Sequence, residues 1–150
     1  MVQEFNKDTK IWLAVGRIAL GWLFFYAGLV KILDVNWSAA GFLNNAKTFP
    51  ELYAWFASPS VIGVVNFVNE WALLLLGASL ILGLFVRWST IPGALLMALY
   101  YFAGNAFPTV PNGFIVDDHI IYIAMLILFF VTNDGNYFGL DEKFRKNVSQ

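Results

Sequence analysis

Two long apolar runs, each holding charge in its interior, constrain this chain more than any other feature. The first, Ile11 to Leu33, has Arg17 and Lys31 as its charged residues, and the second, Val61 to Val86, has Glu70. Ionisable side chains cost a few kcal/mol each inside hydrocarbon, so those that persist face a bundle interior or the membrane interface. With 59% hydrophobic residues, 13% charged residues and a mean hydropathy of +0.67, a chain of 150 residues has too little interior to hide its apolar surface in water. Lipid accommodates that surface on the outside of a bundle. The composition therefore reads as an all-α integral membrane protein.

The net charge of −1 and the scattered basic residues leave no nucleic-acid footprint. The chain has no cysteine, so a disulfide, a thiolate-bound metal and an internal redox dithiol are excluded. The single histidine and dispersed carboxylates have no metal-ligand spacing, and no metal is expected. Phosphate loops, nucleophile elbows and paired haem histidines are also missing.

At about 20 residues per crossing, one domain over 1–150 yields a four-helix transmembrane bundle with spans at 11–33, 61–86, 89–107 and 114–132. The first run is long, contains Arg17 and Lys31 and lacks a small-residue cleavage site, so it reads as a retained span rather than a signal peptide. Pro92-Gly93 and Gly104-Asn105 interrupt the third span near its two ends. Lys7, Lys10, Arg87, Lys143, Arg145 and Lys146 fall on the side of the termini, against Lys31 and Lys47 opposite. Basic residues collect on the cytoplasmic side, so a multi-pass protein of the cell membrane with both termini cytoplasmic is expected. The 34–60 connection is then external; its aromatic residues suit the interface, with a short helix starting at Pro50-Glu51 and a turn at Ser58-Pro59-Ser60.

Arg17, Gly21, Phe24, Gly28 and Lys31 lie on one helical stripe, whose glycines admit a neighbouring helix closely. Lys31 also has a plain reading as a residue snorkelling to the surface. Arg17 sits deeper, and Asp134 or Asp141 is the candidate partner once the chain returns to the inner side, with Gly135 as the helix exit. The structural charges are assigned to Arg17 and Asp141. In the outer half, Lys31, Asn66, Glu70, Asn105, Asp118, His119 and Tyr122 come from four spans to one level and define an expected polar cavity. Glu70, Asp118 and His119 are the candidate catalytic groups, because carboxylates beside an imidazole move protons near neutrality. Lys31, Asn66, Asn105, Tyr122, Trp71 and Tyr100 are the candidate substrate-binding groups. Asp117 and Asp118 also have a plain reading as helix-start acids.

The ordered set Arg17-x-x-x-Gly21-x-x-x-Phe25-x-x-Gly28-x-x-Lys31, the Glu70 span with Gly77 and Gly83, His119-Ile-Ile-Tyr122, and Gly135-Asn-Tyr137-Phe-Gly-Leu140-Asp141 resembles the DoxX family of small membrane proteins. That resemblance implies a four-helix membrane bundle. It also implies the DoxD-like subunit of thiosulfate:quinone oxidoreductase, which passes electrons from thiosulfate to membrane quinone with a companion subunit; other members are linked to oxidative-stress complexes. On these terms quinone is the expected cofactor, and a companion redox subunit or a homo-oligomer is the expected partner within the lipid bilayer. Two other classes stay open: a membrane scaffold docking a redox or stress-response partner, and a small-solute or proton transporter.

Overall fold

The computed structural model describes residues 5–143. Its helices are α1 (Lys7–Leu33), α2 (Ala40–Asn44), α3 (Pro50–Phe56), α4 (Ile62–Leu82), α5 (Val86–Gly104) and α6 (Asp118–Thr132). A two-stranded hairpin, β1 (Thr109–Val110) with β2 (Gly113–Phe114), separates α5 from α6, and a 3-10 turn at Asp134–Asn136 follows α6. By length and apolar composition α1 and α4 are long enough to cross a membrane; α6, with 15 residues, is a shorter apolar helix.

Local chemistry sets the ends. Asn6 caps α1 by accepting from Thr9 N–H, and Pro50 starts α3 where its missing donor costs nothing. Gly83 ends α4 at φ +63, and a side chain there would collide with the Arg17 guanidinium and with Gly139. The helices that correspond to the third and fourth expected spans have other limits. The third helix begins at Val86 and stops at Gly104, because Asn105 turns extended; the fourth begins at Asp118, because Asp117 caps it. Residues 105–117, expected to lie partly within both spans, instead form the hairpin and its flanks. The exit from α6 is made by Asn133, in the left-handed conformation at φ 50, and not by Gly135.

α1 packs along the length of α4, and α5 along α6, while α4 and α5 touch sparingly. The α1–α4 pairing depends on three small residues. A Cβ on Gly21 would stand 2.9 Å from Ile81 N and one on Gly28 2.5 Å from Leu74 N, while on α4 a Cβ at Gly77 would collide with the Phe25 backbone. Glycine is required because the two backbones are in contact, which is how small residues act at membrane helix interfaces. One core joins both pairs: Leu20 and Phe24 of α1, Leu73, Leu76 and Leu80 of α4, Met97 of α5, and Leu126 and Phe129 of α6. A second cluster, Ala39, Leu43, Tyr53 and Ala103, seats α2 and α3 on the end of α5. Outside, Trp12, Trp22, Phe67, Leu75, Leu95 and Val131 are exposed, giving an apolar exterior.

Candidate functional site

At the end of the bundle where α1 begins, the inner end in the expected orientation, Arg17 is completely buried, with Nε 2.7 Å from Asp134 Oδ2 and that carboxylate equally buried. Its Nη1 donates to Leu80 O at 2.5 Å and Nη2 to Tyr137 O at 3.3 Å. The Nε–H bond is not aligned on the carboxylate, so the contact is an ion pair rather than a formal hydrogen bond. Burial pushes the Asp134 carboxyl up to about 6, against the pull of Arg17. Asp141 does not partner Arg17: its Oδ1 and Oδ2 accept from Phe85 N–H (2.8 Å) and Val86 N–H (3.2 Å) at the start of α5. The physical reason is reach and demand. Asn133 turns the chain so that Asp134 enters the bundle first, and the unpaired first-turn donors of α5 then take Asp141.

At the opposite end, the outer one in that orientation, the expected single polar cavity divides in two. Asp117 organises the first part. Its Oδ1 accepts from His119 N–H (2.9 Å) and Ile120 N–H (3.2 Å), capping α6. Its Oδ2 is 2.9 Å from His119 Nδ1 and accepts from Asn105 Nδ2 at 2.7 Å. Burial pushes the Asp117 carboxyl up, but hydrogen bonds from His119, Asn105 and Ile120 and the His119 charge outweigh it and hold it below the usual range. An ionised carboxylate only accepts, so Nδ1 of His119 carries a proton, and in the uncharged form of the ring Nε2 is the acceptor. The ring of Tyr100 stacks on His119 (5.9 Å between centroids), and Tyr122 meets His119 edge-on (6.2 Å) and Phe24 behind it (5.7 Å).

The second part is a cavity of about 540 Å³ between the outer halves of α4 and α5, roofed by α2, α3 and Trp37. Its walls are aromatic and aliphatic, and Lys31, Ser38, Asn69 and Tyr100 supply its polar groups. Tyr100 O–H donates to Asn69 Oδ1 at 2.8 Å, which leaves the Asn69 NH₂ as a donor. Lys31 Nζ lies over the Trp37 ring at 5.4 Å and donates to Ala27 O at 3.2 Å. Tyr100 is shared by the two parts: it lines the cavity beside Phe42 and also stacks on His119, which does not line it.

The other expected residues fall elsewhere. Glu70 is half-buried on α4 and interacts electrostatically with Lys31 without a direct ion pair. Asn66 accepts from Ala39 N–H (2.9 Å) and donates to Ser38 Oγ (3.2 Å), so it fastens the 34–60 connection instead of lining the cavity. Asp118 is exposed, because Asp117 takes the inward, capping position. Trp71 is exposed and packs on Phe67, one helical turn away, so it lies outside the cavity. Asn69 and Asp117 are the positions in this candidate site that residue pattern undervalued. Asn69 carries a signal in being three residues from Asn66 and adjacent to Glu70; Asp117 carries one in standing two residues before His119, where a cap and a partner of the imidazole are both open to it.

The apolar exterior, the buried inner charge pair and the outer cavity define a helical membrane protein with a polar-rimmed, lipophilic pocket. The DoxX family profile matches residues 12–106, and the chain belongs to the DoxX family of membrane proteins. Neither the curated proteins nor the solved structures contain a match.

Proposed function

We propose that this protein is the membrane subunit of a quinone-linked oxidoreductase and that a quinone ring binds in the outer cavity. The observation that carries this is the cavity itself: an aromatic-walled space with Lys31 and the Asn69 NH₂ as donors for ring carbonyls. Bound quinone supplies a two-electron, two-proton acceptor. Lys31 and Asn69 orient the ring, Tyr100 holds Asn69, and Trp37 shields Lys31 from water. His119, held in one tautomer by Asp117, exchanges protons on the far side of Tyr100. Glu70 tempers the charge of Lys31. The donor electrons, from thiosulfate or another sulfur anion, come through a companion subunit, since the chain has no cysteine.

The same proposal has α1, α4, α5 and α6 all crossing the bilayer, with both termini cytoplasmic. The shared core supports it, because α5 and α6 cannot leave the membrane while packed against α1 and α4. The scaffold alternative draws support from the Arg17–Asp134 pair, which closes the inner half; the same plug weighs against transport. Quinone reduction in nanodiscs, with thiosulfate and the membrane fraction that co-purifies, tests the choice. Turnover lost in His119→Ala and Asn69→Leu with the fold intact supports the oxidoreductase; no turnover and no quinone binding in any mixture leaves the scaffold.

A further inference from the structure

We propose that the seam between α4 and α5 holds a single long hydrocarbon chain, the prenyl side chain of the ligand whose ring occupies the outer cavity. This assignment rests on the outer cavity being the ring site. Inward of that cavity, the sparing contact between α4 and α5 leaves a second one of about 460 Å³. Ala72, Ala78 and Gly93 keep it open with small side chains, and Leu96 lines both cavities. The two therefore adjoin at Leu96 along one seam. From Asn69 to Leu82, α4 runs roughly 20 Å at 1.5 Å per residue, and that stretch reaches from the outer cavity at Asn69 to the far end of the inner one at Leu82.

Polarity fixes the direction of the occupant. The outer end offers Lys31 and Asn69 as donors. At the inner end the hydroxyls of Ser79 and Ser89 contact each other at 2.7 Å, and they donate to Leu84 O (2.6 Å) and Val86 O (3.1 Å). Their donors are spent locally, so no headgroup is bound there and the polar end of the ligand lies outside. A ring without a side chain fills only the outer half; a ring with one long apolar chain fills the whole seam. In a bilayer such a groove is already solvated by lipid tails, so affinity gained from the chain must come from fit to a preformed surface rather than from escape from water.

Three quinones with one ring and no side chain, a short alkyl chain or a long prenyl chain are titrated against the protein in nanodiscs, with partitioning corrected using empty nanodiscs. The long-chain quinone is expected to bind at least about tenfold more tightly than the unsubstituted ring. Ala72→Phe and Ala78→Phe, each checked for an unchanged unfolding temperature, should erase that gain and leave unsubstituted-ring binding intact. A gain absent from the wild type, or surviving both substitutions, overturns the proposal. If the unsubstituted ring does not bind at all, the ring site falls, and a long prenyl alcohol with a terminal diazirine tests the seam alone. Labelling concentrated on α4 and α5 and blocked by Ala78→Phe upholds a chain site; labelling spread over all helices overturns it.

Discussion

Replacing Asp134 by alanine should be among the most damaging single changes outside the helix interfaces. Both members of the Arg17–Asp134 pair have no exposed side-chain surface, so solvent and salt do not screen their interaction. Removing one member of a buried pair costs about 3–5 kcal/mol, because the other charge is left without compensation. Asp134→Ala leaves the guanidinium its two carbonyl acceptors, Leu80 O and Tyr137 O, which places it toward the lower end of that range. Arg17→Met strands a carboxylate that can take up a proton, and this also limits the loss. The double variant Arg17→Met/Asp134→Leu removes both charges and should recover about 2–3 kcal/mol relative to the sum of the single changes. Unfolding of purified protein in mixed micelles, followed by tryptophan fluorescence across this double-mutant cycle, measures these terms. Single losses below about 1 kcal/mol, the range of exposed pairs, or additive losses in the cycle, would refute the reasoning.

Gly77→Val forces a side chain into the Phe25 backbone and should lower stability by about 3 kcal/mol or more, seen as a lowered unfolding temperature; a wild-type value would mean that α1 and α4 are further apart. Asp117→Asn tests the outer cap by its pH dependence. The folded carboxyl of Asp117 lies below its unfolded value, so its contribution is complete above about pH 4 and fades as pH falls through the folded value. The raised carboxyl of Asp134 acts with the opposite sign, adding an increment of stability that is complete below about pH 4 and lost as pH rises through about 6, so the comparison is made between wild type and variant at each pH. The difference in unfolding temperature should shrink toward pH 3; a constant difference would sink the assignment. In turnover assays His119→Gln should reduce kcat by about a hundredfold, whereas Asp117→Asn, acting through His119, should shift the pH profile with a smaller loss. Equal kcat in wild type and His119→Gln would remove His119 from proton transfer.

The two longest helices were legible because about 20 uninterrupted apolar residues have few other uses, and the Gly21–Gly28 stripe announced a close helix contact before any neighbour was known. Proline at 50 likewise marked the start of α3. The ends of α5 and α6 were not legible from hydropathy, since Phe107, Phe114, Ile115 and Val116 are apolar residues of the hairpin region and its flank, and hydropathy does not distinguish them from a span. Asp117 and Asp118 are chemically identical, and which one turns inward is decided by the cap geometry at the start of α6. The choice between Asp134 and Asp141 depended in the same way on the left-handed Asn133. Trp71 shows the limit of level without rotation: it is adjacent to Glu70 in sequence yet points away from the cavity, while Asn69, one step the other way, reaches it.

The most direct test of the outer cavity uses its own tryptophans. Trp37 and Trp55 line it, so a quinone ring bound there quenches their fluorescence at saturation, and a Trp37→Phe/Trp55→Phe variant isolates the signal. Titration in nanodiscs with a quinone lacking a side chain should give a saturable quench that weakens about tenfold or more in Asn69→Leu, the loss of one well-placed donor. Quenching that rises linearly with quinone, and is the same in Asn69→Leu and in the tryptophan-depleted variant, would contradict a ring site in this cavity.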